Sequence, residues 1–142
     1  MRTASSASRK ARATGIQIKR IYDDPIPTDG VRVLVDRLWP RGVTKERAHL
    51  DEWLREIAPS PALREWFDHD PERFAEFRKR YQAELKPQSA ELAKLKTEAR
   101  TTRVTLLYAA HDPQFNHAVV LKEAIEKARS RARPASPVSP SS

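Results

Sequence analysis

The 142-residue chain contains no cysteine and only three glycines, Gly15, Gly30 and Gly42. Without cysteine it cannot form a disulfide, a thiolate nucleophile or a cysteine-ligated metal site. The glycines are too widely spaced to build a G-x-G-x-x-G loop or a P-loop, both of which wrap backbone amides around phosphates. The sequence also lacks an apolar run near the roughly 18 residues that a membrane span requires. We therefore expect a soluble, cytoplasmic protein that makes no contact with membranes.

The net charge of +8 lies entirely at the two ends of the chain. Residues 1–15 and residues 127–142 each carry four basic residues and no acidic one, whereas residues 16–126 carry 19 of each sign. Both ends are poor in large apolar residues, which is typical of disorder. We predict a disordered basic tail at 1–15 and a single domain at 16–126. Residues 127–142 are predicted to contain the end of the last helix and a second disordered tail, rich in Arg, Pro and Ser.

Apolar patterning in residues 16–126 predicts alternating strands and helices. Ile16 and Ile18 indicate an opening strand, and the β-branched run at 31–35 indicates a second. Residues 104–110 show no alternation of polar and apolar side chains, which is typical of a central strand in a parallel sheet. Residues 50–57 fit either a helix face behind a Thr44 cap or a short strand, so their type stays open.

Apolar residues at helical spacing predict three further helices. One begins at Asp70 and Pro71 and presents the face Phe74, Phe77, Tyr81 and Leu85. Another follows Ser89, and the last is predicted to begin at Asp112 and Pro113. The order of these elements predicts a small single-domain α/β sandwich, with a mostly parallel sheet flanked by helices.

Ligands of such folds bind at the carboxyl ends of the strands, and a conspicuous loop follows the second predicted strand. Arg37 and Arg41 in this loop are suited to hold a carboxylate or phosphate, with the indole of Trp39 as a stacking surface. The alternative is a structural loop, in which Asp36 forms an ion pair with Arg37 or Arg41 and Trp39 lies in the core.

A second group of polar residues follows Tyr108, at the end of the predicted central strand. Asn116 and His117 lie near the start of the last predicted helix, where free backbone N–H groups attract anions. The alternative is that Asp112 only caps this helix and that His111 and His117 are surface residues. The histidines and aspartates here lack metal-ligand spacing, so we expect neither a metal site nor a cofactor.

Several stretches of the predicted domain carry a specific pattern: Val33–Gly42, Ala58–Ser60, Leu63–Phe67, His69–Pro71, Arg80 with Tyr81, Thr105–Tyr108, and Asn116. Over about residues 16–126 they closely resemble the YeaO-like branch of domain-of-unknown-function family 488. The resemblance implies a small α/β domain and favours a strand for part of residues 51–57. It also favours a site over a structural role for the loop around Trp39.

Other branches of that family carry an Asp-x-Arg near the first of these stretches and a Cys-His-Arg near the last. In this chain the first pair stands as Asp36 and Arg37. The last motif reads Asn116-His117-Ala118, so its Cys and Arg are lost while a His is kept. Thiol chemistry of the kind that a Cys-His-Arg motif suggests is therefore not expected here.

Together these residues predict a pocket at the strand ends that binds a small anionic or nucleotide-like ligand; whether it also processes that ligand is left open. Arg37, Trp39, Arg41, Tyr108 and Asn116 are the predicted ligand-binding residues. Asp36 is the candidate general base, and His69 or His117 the candidate proton donor. The sequence therefore predicts eight residues for this site.

Two alternatives from other classes remain. One is a non-catalytic binding or adaptor domain whose basic tails make weak, nonspecific contacts with nucleic acid. The other is a protein–protein module in which Trp66 and Phe67 are exposed at an interface.

Overall fold

The structure, a computed structural model, describes residues 14–112 and 114–128. Within them lies a four-stranded parallel sheet whose strands follow the order β1-β4-β2-β3. The strands are β1 (Gly15–Arg20), β2 (Val31–Leu34), β3 (Glu52–Trp53) and β4 (Arg103–Tyr108). The α/β class and the parallel sheet are thus confirmed, and β4 is a central strand, as its unbroken apolar pattern predicts.

Helices connect these strands. In the same part of the chain they are α1 (Lys45–Ala48), α2 (Pro61–Phe67), α3 (Phe74–Leu85), α4 (Ser89–Glu98) and α5 (His117–Lys127). Short 3-10 turns occur at Pro27–Asp29, Arg55–Ile57, Pro71–Arg73 and Lys86–Gln88. None of the helices among these described residues is long and apolar enough to cross a membrane.

The two faces of the sheet are covered differently. Helices α2 to α5 pack on the face that carries Val33, Val104 and Leu106. The opposite face, which carries Leu34 and Leu107, is covered by α1 and by the loops around it. This division follows from the alternation of side chains along a strand, because neighbouring residues point to opposite faces. The main apolar core is therefore the layer between the sheet and the four longer helices.

Helix α3 confirms the predicted apolar face, because Phe74, Phe77, Tyr81 and Leu85 are all buried. The hydroxyl of Tyr81 donates a hydrogen bond of 2.7 Å to the carbonyl oxygen of Ile57. Burial of this side chain raises the pKa of Tyr81 well above its ordinary value. Tyr81 therefore stays neutral and fastens α3 to the segment that leads into α2.

Residues 50–57 form a short strand and a turn, so the helical interpretation of this segment is wrong. Thr44 does cap a helix, since its hydroxyl oxygen accepts a 3.1 Å hydrogen bond from the Arg47 backbone N–H. That helix ends at Ala48, because His49 adopts a left-handed conformation with φ 48°. The chain then pairs with β2 as β3, and the strand implied by the family resemblance is present.

The last helix begins four residues later than its Asp-Pro signal predicts. Its cap is Asn116, whose side-chain oxygen accepts a 3.0 Å hydrogen bond from the Val119 backbone N–H. Asp112 instead accepts hydrogen bonds from the backbone N–H groups of Gln114 (2.8 Å) and Phe115 (3.1 Å). Asp112 therefore stabilises the turn before the helix and does not cap it. Asn116, an equally good capping residue that lies further along the chain, takes that role.

This assignment predicts that Asn116→Ala is more destabilising than Asp112→Ala. Loss of the cap costs about 0.5–2 kcal/mol, and Asn116 also donates a 2.7 Å hydrogen bond to the carbonyl oxygen of Asp112. We expect the Asn116 variant near the top of that range and the Asp112 variant near or below its lower end. Urea denaturation of both variants measures the difference. An Asp112 variant as unstable as the Asn116 variant would contradict the capping assignment.

A buried ionic cluster holds the segment before β2 against the face of the sheet opposite α2 to α5. Asp29 is fully buried and accepts hydrogen bonds from Lys19, at 2.9 Å, and from Arg32. Arg32 also donates to the carbonyl oxygen of Ala48, at 2.8 Å. Burial alone would raise the pKa of Asp29, but hydrogen bonds from Lys19, the Ile26 backbone N–H and Arg32 outweigh it and lower that pKa.

The two predicted tails lie almost wholly outside the described residues. The description begins at Thr14, and α5 ends at Lys127, followed by Ala128. The predicted disorder of residues 1–15 and of the Arg-, Pro- and Ser-rich end therefore stays a prediction.

Candidate functional site

Two adjoining cavities form a groove at the carboxyl edge of the sheet. The first, which we call the loop cavity, has a volume of about 320 Å³ and is lined by the loop after β2, including Trp39 and Arg41. The second, which we call the aromatic cavity, has a volume of about 280 Å³ and is lined by three phenylalanines, Phe67, Phe77 and Phe115. Five residues line both cavities: Pro59, Arg64, His69, Ala110 and His117.

An aspartate–histidine pair lies at the junction of the cavities. Asp36 follows β2 and His117 begins α5, and Nε2 of His117 lies 3.1 Å from one carboxylate oxygen of Asp36. The same nitrogen lies 2.9 Å from the carbonyl oxygen of Val35. A carbonyl oxygen can only accept, so Nε2 carries the proton. In the neutral ring Nδ1 is then a hydrogen-bond acceptor.

Both oxygens of Asp36 are occupied. The second accepts a 2.9 Å hydrogen bond from the backbone N–H of Ala109, the first residue after β4. Asp36 therefore connects the ends of β2 and β4 and orients the ring of His117, in the way that a carboxylate fixes a histidine tautomer. The side chains of Asp36 and His117 are each only 15% exposed. This geometry makes Asp36 a positioning residue, whereas His117 is the member of the pair that lines both cavities.

Arg37 has a structural environment. Its guanidinium donates to the carbonyl oxygens of Ala58, at 2.9 Å, and Pro59, at 3.3 Å, and lies 3.8 Å from the Glu56 carboxylate. Among the described residues Asp36 forms no ion pair with Arg37 or Arg41. The structural alternative, in which such a pair stabilises the loop after β2, is therefore not observed. Arg37 stabilises the chain before α2 and still contributes to the wall of the loop cavity.

Two indoles fix the shape of the loop after β2. The N–H of Trp39 donates to the carbonyl oxygen of Val43 at 2.6 Å, and that of Trp53 donates to the carbonyl oxygen of Asp36 at 2.7 Å. The two rings pack edge to face, with their centroids 5.3 Å apart. Trp39 is half-buried: it packs against Trp53 and also lines the loop cavity, while its role as a stacking surface for a ligand stays a prediction.

Arg41 is the exposed cation of this loop. Its carbonyl oxygen accepts a 3.0 Å hydrogen bond from the hydroxyl of Tyr22, which fixes the backbone. Within residues 14–112 and 114–128 its guanidinium has neither an ion-pair partner nor a hydrogen-bond acceptor, and the same holds for Arg64 on α2. Both arginines line the loop cavity. They are therefore available to an incoming anion.

The charge of the loop cavity is strongly one-sided. It is lined by three arginines (Arg37, Arg41, Arg64) and three histidines (His69, His111, His117), with Asp36 as the single acidic residue. The carboxylate of Asp36 is already hydrogen-bonded on both oxygens. The cavity therefore presents an environment that favours negative charge.

His69 is placed by an unusual backbone. Asp68 and His69, which follow α2, both adopt left-handed conformations, with φ 47° and φ 54°. Residues with a side chain adopt this region infrequently. The turn places His69 in the wall of both cavities.

The structure brings together seven of the eight residues predicted for the site. Asp36, Arg37, Trp39, Arg41, His69 and His117 line the loop cavity, and Asn116 lines the aromatic cavity. Tyr108 lines neither, because it is 2% exposed and lies in the core beneath the helices. Burial raises the pKa of Tyr108. Its predicted role as a wall of the pocket is therefore wrong.

Sequence reasoning missed Arg64 and Phe115. Arg64 reaches the groove because α2 begins at the junction of the cavities, where Ser60 caps it by accepting a 3.2 Å hydrogen bond from the Leu63 backbone N–H. The Ser60-Pro61 pair is a recognisable helix start and could have revealed this element. Phe115 has no such signal, because it lies in the turn before α5 and outside the regular spacing of that helix.

Trp66 and Phe67 do not form the exposed pair that an interface would need. Phe67 is 6% exposed and stacks on Phe77, with ring centroids 4.4 Å apart. The half-buried ring of Trp66 lies beneath the guanidinium groups of Arg73 and Arg80, at 5.5 Å and 4.3 Å. The interface hypothesis built on these two residues is therefore wrong.

The comparisons with known proteins identify the family. The model of the "inactive DUF488-N3 subclade" matches residues 15–142. Uncharacterized proteins of Mycobacterium tuberculosis and Mycobacterium bovis are each 45% identical over 112 residues, which is 79% of this chain and 94% of theirs. The uncharacterized protein YeaO of Escherichia coli is 46% identical over 108 residues, 76% of this chain and 94% of its own. No solved structure matches. The chain belongs to the YeaO-like part of the DUF488 family.

Proposed function

We propose that this protein is a cytoplasmic binding domain that holds a small anionic ligand in the groove at the carboxyl edge of its sheet. The observation that carries the proposal is the lining of the loop cavity, where the guanidinium groups of Arg41 and Arg64 have no partner among the described residues and the single carboxylate, Asp36, is already hydrogen-bonded. Guanidinium groups bind carboxylates and phosphates through two parallel hydrogen bonds. Arg41 and Arg64 are the residues that would do so.

Binding without covalent catalysis fits the side chains of the groove better than processing of the ligand. The chain has no cysteine. The hydroxyl of Ser60, the serine nearest the groove, donates a 2.6 Å hydrogen bond to Glu84 and caps α2, so it is not free to attack a ligand. Asp36 is occupied on both oxygens. The matching family model is itself described as inactive, which supports the same choice.

An adaptor function through the basic tails has no support in the described residues. The tails that would contact nucleic acid or a protein partner lie outside them, and residues 16–126 have no net charge. We assign the proposed ligand binding to the groove, and an adaptor role of the tails stays a prediction.

The test is replacement of Arg41 by methionine, which keeps much of the side-chain stem and removes the charge. Because Arg41 is exposed and unpaired among the described residues, we expect less than about 1.5 kcal/mol of destabilisation without ligand. Wild-type protein should gain stability when inorganic phosphate or a nucleotide is added, since a ligand that binds only the native state stabilises it. The variant should lose that gain. Urea denaturation at constant ionic strength, with and without the anion, measures both effects.

Arg47→Met is the matched control. Arg47 is an exposed arginine on α1 that lies 3.3 Å from Asp24, outside the lining of either cavity. This variant should keep the full anion-induced stabilisation. A loss of roughly 3–5 kcal/mol in the Arg41 variant without anion would instead show that Arg41 is a structural ion-pair partner. Absence of any anion effect on the wild-type protein would refute the proposed function.

A further inference from the structure

We propose that the ligand has two unlike ends: one phosphate or carboxylate group, which binds in the loop cavity, and an aromatic ring, which binds in the aromatic cavity. The inference rests on the proposed function and adds the chemical class of the ligand. It assigns the second cavity a role in specificity that anion binding alone does not require.

The first argument is the continuity and size of the groove. The two cavities share five lining residues, including Arg64, His69 and His117, so they adjoin, and we place one end of the ligand in each. Pockets for small organic molecules usually measure about 300–1,000 Å³. Each cavity alone, at about 280 and about 320 Å³, lies near the lower end of that range, whereas the joined groove lies well inside it.

The second argument is the shape and rigidity of the aromatic cavity. Phe67 and Phe77 stack on each other, and Phe115 packs edge to face on Phe74 with ring centroids 5.3 Å apart. Phe67 and Phe77 are buried, so the half-buried ring of Phe115 is the aromatic surface that this cavity offers, and its contact with Phe74 holds it in place. Flat apolar walls favour a planar ring, since aromatic pairs prefer offset-stacked or edge-to-face packing.

The third argument is the difference in charge between the two ends. Glu65 and Asp68 line the aromatic cavity but not the loop cavity. A second anionic group at that end would be repelled, so the ligand carries its anion at one end only. The side chain of Asn116 is buried and bonds the Val119 N–H and the Asp112 carbonyl oxygen, so its role lies in the turn before α5. Selection at the aromatic end therefore rests on ring shape and on the absence of negative charge.

The experiment compares two phosphomonoesters, phenyl phosphate and methyl phosphate, by calorimetric titration of the full-length protein. Burial of an aromatic ring should make phenyl phosphate bind at least about tenfold more tightly than methyl phosphate. This comparison uses wild-type protein, so it does not depend on the folding of any variant. Equal affinities would overturn the two-ended ligand while leaving the anion-binding function intact. Failure of both esters to bind would overturn both proposals.

Two variants then assign the ends. Phe115→Ala should reduce the advantage of phenyl phosphate over methyl phosphate to less than about threefold. Arg41→Met should weaken both esters by the same factor. Retention of the full tenfold preference in the Phe115 variant would contradict placement of the ring in the aromatic cavity. Circular dichroism of each variant verifies that it is folded, and Phe115→Leu, which keeps apolar volume without a ring, is expected to fall between the alanine variant and the wild type.

Discussion

Replacement of Gly30 by alanine is expected to destabilise the protein by at least about 3 kcal/mol, the combined effect of backbone strain and overpacking. Gly30 has φ 65°, and a Cβ atom placed there would overlap the backbone carbonyl oxygen of Arg103 and lie 2.9 Å from the Cβ of that residue. The obstructing atoms belong to Arg103 at the start of β4, and this strand pairs with β1 on one side and β2 on the other. They cannot rotate away as the end of a flexible side chain could.

Gly42→Ala is the control for this prediction. Gly42 has a similar conformation, with φ 79°, but no atom lies within 4 Å of the position of its Cβ. The Gly42→Ala variant has the same kind of backbone strain as Gly30→Ala but no overlap. We expect it to destabilise the protein by about 1–2 kcal/mol. Urea denaturation of the two variants isolates the steric contribution as their difference. Equal losses would show that β4 can shift freely and that the close approach of Gly30 is not a constraint.

Asp29→Asn is expected to cost roughly 3–5 kcal/mol at neutral pH, because it leaves the buried guanidinium of Arg32 without its charged partner. The side chain of Arg32 is only 5% exposed, so water cannot replace the lost carboxylate. Asparagine has nearly the same size as aspartate, which separates the loss of charge from a change in packing.

The same variant should change how stability depends on pH. The folded state lowers the pKa of Asp29, so its contribution is complete above the ordinary aspartate pKa and is lost as pH falls through the lowered value. The difference between wild type and Asp29→Asn should therefore be largest near neutral pH and shrink below about pH 4. Urea denaturation over a series of pH values measures this. A difference that stays constant with pH would contradict the assigned ionisation of Asp29.

Glu76→Gln is the matched control for Asp29→Asn, because it removes a carboxylate that is exposed and not buried. Glu76 also pairs with an arginine, at 2.9 Å from Arg80, and the hydrogen bond from Arg80 lowers the pKa of Glu76. Both side chains are about half-exposed, and ion pairs in solvent contribute little because water screens them. We expect a much smaller effect than that of Asp29→Asn at every pH.

The fold could be predicted from the sequence where one apolar pattern dominated. The unbroken run of β4 and the 3.6-residue spacing of Phe74, Phe77, Tyr81 and Leu85 each identified an element and its buried side. Prediction failed where two local signals competed. Asp112 and Asn116 are both good caps only four residues apart, and the tertiary structure selects the second. Residues 50–57 were ambiguous because β3 is only two residues long.

The candidate site was predictable in place but not in its pairings. The rule that ligands bind at strand ends brought Asp36 and His117 to one edge of the sheet. Their contact could not be foreseen, because Arg37 and Arg41 lie much nearer to Asp36 in sequence and can also donate hydrogen bonds to its carboxylate. The pairing depends on the adjacency of β2 and β4, a property of sheet order that the sequence does not display. Arg64 was missed for the same reason, since it belongs to an intervening helix.

The sheet order also determines when the protein can fold during its synthesis. β4 is the last of the described strands in sequence, yet it is the only one of them that pairs with both β1 and β2. A nascent chain that has emerged through residue 102 therefore holds β1 and β2 without the strand that joins them, and their unpaired edges are open to other chains. Contacts between such distant segments form slowly. Translation must pass Tyr108 before the sheet closes, and it must pass His117 before Asp36 can bind its partner.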